Sequence, residues 1–221
     1  MVRARAVLEL SEVLGERLEE TGGTDLLRDL ELPLVEILAR MERTGIAVDE
    51  DALTALEADF ADKMRQAQLD AYEAIGRSDV NLGSPKQLQE VLFDQLGMPK
   101  TKRTKTGYTT DADALADLFA KTEHPFLEAL LRHRDTSRLR VTVEGLIKSV
   151  APDRRIHTTY IQTIAATGRL SSTDPNLQNV PIRTEEGRRI REVFVVGEGL
   201  RVADVGRLQP DRDADHGAPL G

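Results

Sequence analysis

The sequence predicts an α+β chain that is mainly helical, and three observations carry the prediction. From the N-terminus to about residue 150, apolar residues recur at three- and four-residue spacing among charged ones, the period of amphipathic helices. From Arg154 the spacing falls to two: Ile156, Thr158, Tyr160, Gln162 and Ile164 form an alternating, β-rich run. Composition agrees, because 31% charged residues, 4% aromatics and no Trp suit well-solvated helices.

At 221 residues the chain is one large domain or two small ones. It has no cysteine, which excludes disulfides and thiolate zinc sites. Its histidines, at 124, 133, 157 and 216, form no ligand-spaced pair. No apolar run is long enough to span a membrane, and the N-terminus lacks the layout of a signal peptide. A cytoplasmic, monomeric protein without a membrane partner is expected.

Taken in order, residues 2–20 read as an amphipathic helix carrying Val7, Leu8, Val13, Leu14 and Leu18, ended by Thr21-Gly22-Gly23. Asp25–Arg43 is helical with an interruption near Pro33, which suits the first turn of the second part. Gly45 closes it, and Ile46-Ala47-Val48 is short and extended. Asp49 caps a long helix to about Ile75, with Leu53, Leu56, Phe60, Met64, Leu69 and Tyr72 predicted inward. Ser84-Pro85-Lys86-Gln87 reads as a capping box with Pro at the first helical position; Leu88, Val91, Leu92 and Leu96 follow, and Gly97 stops the helix. Lys100–Thr110 has no acid and reads as a mobile basic tip. Thr110 and Asp111 open the next helix, with Leu115, Leu118 and Phe119 inward. Pro125 opens another that extends towards Ile147, burying Phe126, Leu127, Leu130 and Leu131. Thr184–Phe194 is a short basic helix with Glu185 and Glu186 in its first turn and arginines later, the order that the helix dipole favours.

The stretch Thr167–Asn179, TGRLSSTDPNLQN, has neither helical nor strand periodicity. Asp174-Pro175-Asn176 is a turn signal. The rest is a polar loop rich in long donors: Arg169, Asn176, Gln178 and Asn179. The net charge of −8 argues against a nucleic-acid partner, but distribution matters more than the sum. Bases gather at Lys100–Lys105, Arg132–Arg140 and Arg183–Arg191. Any one cluster alone reads as a solvated face. Three of them beside a donor-rich loop point to phosphate.

The string TGRLSSTDPNLQN, continued by VPIRTEEGRRIREVF, resembles the opening of the palm in family A DNA polymerases, the bacterial DNA polymerase I type. ELPLVEILARMERTGIAVD and NLGSPKQLQEVLFDQLGMP resemble the same family in the same order, so the resemblance covers roughly residues 1–200. It implies the C-terminal remnant of a 3′–5′ exonuclease-like domain in residues 1–30. It implies the start of the polymerase domain with a helical thumb in 31–152, and the first antiparallel strands of a palm in 153–200. The implied partners are primer–template DNA and, in the intact enzyme, deoxynucleoside triphosphates; the implied cofactor of the intact enzyme is Mg²⁺. The resemblance also assigns candidates. Arg169 contacts the primer-terminal pair from the minor groove, where every Watson–Crick pair presents acceptors that Arg169, Gln178, Asn176 and Asn179 can test without reading sequence. Lys102, Arg103, Lys105, Arg138 and Arg140 are expected to grip phosphates, which position a duplex but do not specify it. Asn81, Ser84 and Lys86 resemble thumb residues that touch the backbone, and Arg183 lies near the incoming nucleotide's phosphates.

In this family the first metal-binding carboxylate lies in a motif close to ADYSQIE. After Gly199 the chain instead reads LRVADVGRLQPDRDADHGAPLG. Residues 206–220 admit codons that, read one base forward, spell ADYSQIEMRIMAHLS without a forced mismatch. The expectation is a frameshift near 200–205, residues 201–221 out of frame and disordered, no metal site and no intact catalytic residue. The fragment as written would then bind duplex DNA without polymerising. Two other readings stay open: a non-catalytic helical DNA-binding module, and a helical protein-interaction module whose arginines only solvate it.

Overall fold

A computed structural model describes residues 2–105, 107–165, 167–181 and 184–197. The sequence first builds helices. The first, α1 (Val2–Glu20), leaves Val7, Leu8, Leu10, Val13 and Leu14 exposed, so its apolar face has no cover among the described residues. Next, α2 (Thr24–Leu26) runs through a π-type turn at Leu27–Glu31 into α3 (Leu32–Thr44). The regular α-helix is thus interrupted just before Pro33, which takes the first turn of α3 as expected. Pro33 has no N–H to give to the carbonyl four residues back, and the wide turn just before it absorbs the mismatch without ending the helix.

Strand β1 (Ile46–Ala47) leads into α4 (Glu50–Ile75), whose N-cap Asp49 accepts a hydrogen bond from the Ala52 amide at 2.9 Å. The buried stripe of α4 is Leu53, Leu56, Phe60, Ala67, Ala71 and Ile75. Leu69, predicted inward, is 54% exposed, because it falls off the line set by 60, 67 and 71. A turn then leads to α5 (Pro85–Gln89) and a π-type turn at Glu90–Gln95. Here the capping box is only half made. Ser84 accepts from the Gln87 amide, but Gln87 Oε1 accepts from the Asn81 amide at 2.6 Å instead of returning to Ser84.

The basic stretch is an antiparallel hairpin, not a mobile tip: β2 (Arg103–Thr104) pairs with β3 (Gly107–Tyr108). Helices α6 (Ala112–Thr122), capped by Asp111, and α7 (Pro125–Lys148) follow as predicted.

The antiparallel pair α4 and α7 is the spine, and two apolar clusters sit along it. One joins Ala71 and Ile75 of α4 to Leu88, Leu92, Leu115, Phe126 and Leu130. The other joins Leu53, Leu56 and Phe60 to Leu139, Val143 and Leu146. Each fully buried Leu or Phe is worth roughly 1.5–3 kcal/mol. Between the clusters α7 is polar. Arg132 pairs with Asp70 at 2.7 Å, and Arg134 donates to the Thr110 carbonyl.

The alternating run after Arg154 makes two short strands. Strand β4 (Arg155–Ile156) pairs with β1, and β5 (Thr159–Ile161) pairs with β6 (Ser171–Thr173). The break falls at His157 and Thr158. His157 Nδ1 lies 2.7 Å from the Glu42 carbonyl and Nε2 3.0 Å from Asp153, while Thr158 donates to the Thr173 and Pro175 carbonyls. The polar loop is thus less irregular than its pattern implied: it contributes β6 and a 3₁₀ turn at Leu177–Asn179. Finally α8 (Glu185–Glu192), capped by Thr184, buries Ile190 in the second cluster. Its exit is stitched to β1, with the Asp49 amide bonded to the Val193 carbonyl and the Val195 amide to that of Ala47.

Candidate nucleic-acid interface

Three groups of the predicted residues stand on ordered supports. The hairpin carries Lys102, Arg103 and Lys105, all exposed, and among the described residues none of the three has an ion-pair partner. Its base is fastened by the Thr109 amide to the Lys102 carbonyl at 2.9 Å and by the Thr101 hydroxyl to the Thr109 carbonyl at 2.6 Å.

The second group lies where the turn before α5 meets the middle of α7. Leu82 and Gly83 line one wall of an open cleft, and His133, Arg134, Ser137 and Arg138 line the other. Asn81 folds its Oδ1 onto the Gly83 amide at 2.8 Å, Ser84 caps α5, and Lys86 is exposed. Arg138 is exposed and held only by Asp135, three residues back, at 3.0 Å. Arg140 differs. Its guanidinium bonds Glu57 at 2.7 Å and Glu144 at 3.1 Å. Glu57 ties it to α4 and Glu144 lies one turn on in α7, so a phosphate would have to displace both. In the same cleft wall, His133 Nδ1 is buried without a partner among the described residues. Burial, and then the adjacent Arg134 charge, hold the His133 imidazole below its usual pKa.

The third group is the polar loop. Arg169 and Asn179 are exposed and make no side-chain hydrogen bond or ion pair among the described residues. Asn176 is spent locally, its Oδ1 accepting from the Gln178 amide at 3.0 Å. Gln178 is partly spent. Its Nε2 donates to the Leu170 carbonyl at 2.7 Å and its Oε1 accepts from the Ser172 amide at 3.3 Å. So one side of this loop braces itself while Arg169 and Asn179 remain available to a partner. Arg183 lies outside the described residues, as does the whole 201–221 tail.

The loop is anchored through α8. Arg189 reaches Asp59 on α4 at 2.6 Å. That hydrogen bond, chiefly, keeps the Asp59 carboxyl below the ordinary carboxylate range, with Lys63 assisting. Gly187 is buried against Pro181, where a Cβ would lie 2.6 Å from the Pro181 carbonyl oxygen. Nothing in the sequence pattern singles out the Arg189–Asp59 bond. Asp59 sits 130 residues away in the chain, and no local signal marks that pairing.

Among the described residues no group of three or more His, Cys, Asp or Glu is placed to hold a metal ion, and no step through a metal is derived for them. Among them, too, no helix is long and apolar enough to cross a membrane.

The helical spine carries a hairpin whose cations have no ion-pair partner among the described residues, and a donor-bearing loop that pairs with a short strand. The chain belongs to DNA polymerase family A, whose model matches residues 50–207. It is 61% identical over 212 residues to DNA polymerase I of Mycobacterium tuberculosis (strain ATCC 25618 / H37Rv), covering 95% of this chain and 23% of that protein. To DNA polymerase I of Bacillus subtilis (strain 168) it is 43% identical over 198 residues, covering 89% and 22%. The chain therefore spans about a quarter of the length of these relatives. Among solved structures it is similar to the POL domain of Pol1 from M. smegmatis, in complex with DNA primer–template and dNTP. The TM-score is 0.85 at 64% identity, over 90% of this chain and 35% of that one.

Proposed function

We propose that this chain forms the duplex-gripping thumb and the opening of the palm of a DNA polymerase that extends a primer on a template. Residues 31–152 are the thumb region, 153–200 the start of the palm, and 1–30 the end of an exonuclease-like domain. Lys102, Arg103, Lys105 and Arg138 hold phosphates, with Asn81, Ser84 and Lys86 beside them. Arg169 and Asn179, with the free donor of Gln178, test the minor-groove edge of the terminal pair, and Arg183 serves the incoming deoxynucleoside triphosphate. In the intact enzyme Mg²⁺ supplies the charge that activates the attacking oxygen and steadies the leaving one. The observation that carries the reading is the hairpin: three exposed cations that have no carboxylate partner among the described residues, on a paired backbone. Arg140, committed to Glu57 and Glu144, braces the thumb in this reading and is not itself a phosphate ligand.

The test is a salt titration of primer–template affinity. Phosphate contacts make log K fall linearly with log salt, by about 0.9 per contact on B-DNA. Replacing Lys102, Arg103 and Lys105 together by Ala should flatten that line; an unchanged slope defeats the proposed grip. The same reading holds the chain as written unable to polymerise, because residues 206–220 occupy the place of the carboxylate motif in a shifted frame. The family match runs to 207, next to Gly206 where the shifted spelling begins. Nucleotide sequence across codons 200–206 decides this. Restoring the frame should restore the motif, and primer extension by the restored enzyme is the second test.

A further inference from the structure

We propose that Gln89 is a positioning residue for DNA binding, a latch that holds the basic hairpin at its working height above the thumb. The inference rests on the reading that Lys102, Arg103 and Lys105 contact phosphate, and adds a residue that nothing in the sequence pattern singles out. Gln89 is the last residue of α5, and Phe93 stands one helical turn on, within the π-type turn. Both reach the same residue of the hairpin. Gln89 Oε1 accepts the Tyr108 amide at 3.0 Å, and the Phe93 ring meets the Tyr108 ring edge-on, centroids 5.2 Å apart. Lys100 Nζ lies over that ring, 5.2 Å from its centre. Phe93 in turn packs on the first apolar cluster, so the hairpin is referenced to the thumb core and not only to its own turn.

Gly107 makes the latch possible. Its φ is +130°, outside the range of ordinary side chains, and a Cβ there would overlap the Gln89 amide. The hairpin comes this close only because residue 107 has no side chain. A two-residue strand pair has too few cross-strand bonds to fix itself. The Tyr108 anchor therefore ties Lys102, Arg103 and Lys105 to the end of α5, beyond the Thr109–Lys102 backbone bond and the Arg134 bond from α7 to the Thr110 carbonyl. Placement matters because a cation contributes to phosphate binding only when it reaches the backbone at the same time as the others.

The test uses the uncharged substitution Gln89→Ala in the full chain, beside the triple Lys102, Arg103 and Lys105 to Ala variant, with a primer–template duplex as probe. Gln89 carries no charge, so a change in the salt slope on its removal reports that cations elsewhere have lost their contacts. The latch predicts a slope that moves from wild type towards the triple variant, by up to about 0.9 for each cation released, and faster hydrogen exchange of the Tyr108 amide. Gln89→Met, which keeps the side chain's length without an oxygen acceptor, should exchange that amide as fast as Gln89→Ala, whereas a purely steric role for Gln89 would keep it slow. A wild-type slope in Gln89→Ala beside a flattened one in the triple variant overturns the latch and leaves the phosphate reading standing. An unchanged slope in the triple variant overturns both. Equal Tyr108 exchange in wild type and Gln89→Ala also overturns the latch, whatever the slopes.

Discussion

Gly187→Ala gives a prediction whose sign alone is decisive. In an exposed helix interior, Gly to Ala stabilises by about 1 kcal/mol, because Ala surrenders less backbone entropy. Gly187 occupies the first turns of α8, where propensity alone calls for that gain. The structure opposes it. A Cβ at 187 would lie 2.6 Å from the Pro181 carbonyl oxygen, 2.8 Å from its carbon and 3.0 Å from its Cβ. Two of these are backbone atoms, which cannot rotate away. Either α8 must lift off the second cluster, drawing Ile190 with it, or the 177–181 segment must retreat by several tenths of an ångström. Overpacking of this kind costs roughly 1–3 kcal/mol, so the net change should lie between about zero and 2 kcal/mol of destabilisation after the propensity gain. Urea unfolding of the chain measures it. The variant should also bind primer–template more weakly, since the retreating segment carries Gln178 and Asn179. A Gly187→Ala protein more stable than wild type by the full propensity increment would refute the close approach, and with it the argument that α8 sets the height of the polar loop.

Other substitutions separate neighbours that look alike in sequence. Leu53→Ala, on the buried stripe of α4, should cost about 2–5 kcal/mol, while Leu69→Ala should stay within about 0.5 kcal/mol, both read from urea midpoints. Arg138→Ala should flatten the salt slope of DNA binding with little loss of stability. Arg140→Ala should do the reverse, lowering the unfolding midpoint because Glu57 and Glu144 lose their partner. The stability of the wild type relative to His157→Gln should depend on pH. The Glu42 carbonyl first, then Asp153, raise the folded-state pKa of His157 above 6.5, against the opposing Arg155 charge. Protonation therefore favours the folded form: the advantage is complete below pH 6.5 and fades as pH rises through the higher folded-state value. Urea midpoints of both proteins from pH 5.5 to 8.5 should converge upward in pH, and a gap that widens would contradict the assignment.

The helices were legible because each is written locally. Asp49, Ser84, Asp111 and Thr184 announce starts that the structure confirms with hydrogen bonds to the third following amide. What the pattern misjudged depended on partners. The alternating run from 156 to 164 marks extended chain but not where it divides: β4 pairs with β1 and β5 with β6. Between them His157 and Thr158 turn to carbonyls that no window around them contains. The polar loop hides β6 for the same reason. Ser171–Thr173 has no alternation of its own and becomes a strand because β5 presents Thr159–Ile161 to it.

The candidate interface divides along the same line. Residue type and clustering pick out candidates, since charge density is a property of the local string. Availability is not. Arg138 and Arg140 are two residues apart on one helix, and only the contact map shows that one answers to Asp135 within its own turn while the other is bound to Glu57, 83 residues away. Gln178 and Asn179 are adjacent amides, yet one donates inward to Leu170 and the other stays uncommitted among the described residues. A polyanion can use only those donors that the fold has not already satisfied. The uncommitted donors are what remains after internal pairing, and among the described candidates they include the hairpin cations and Arg169.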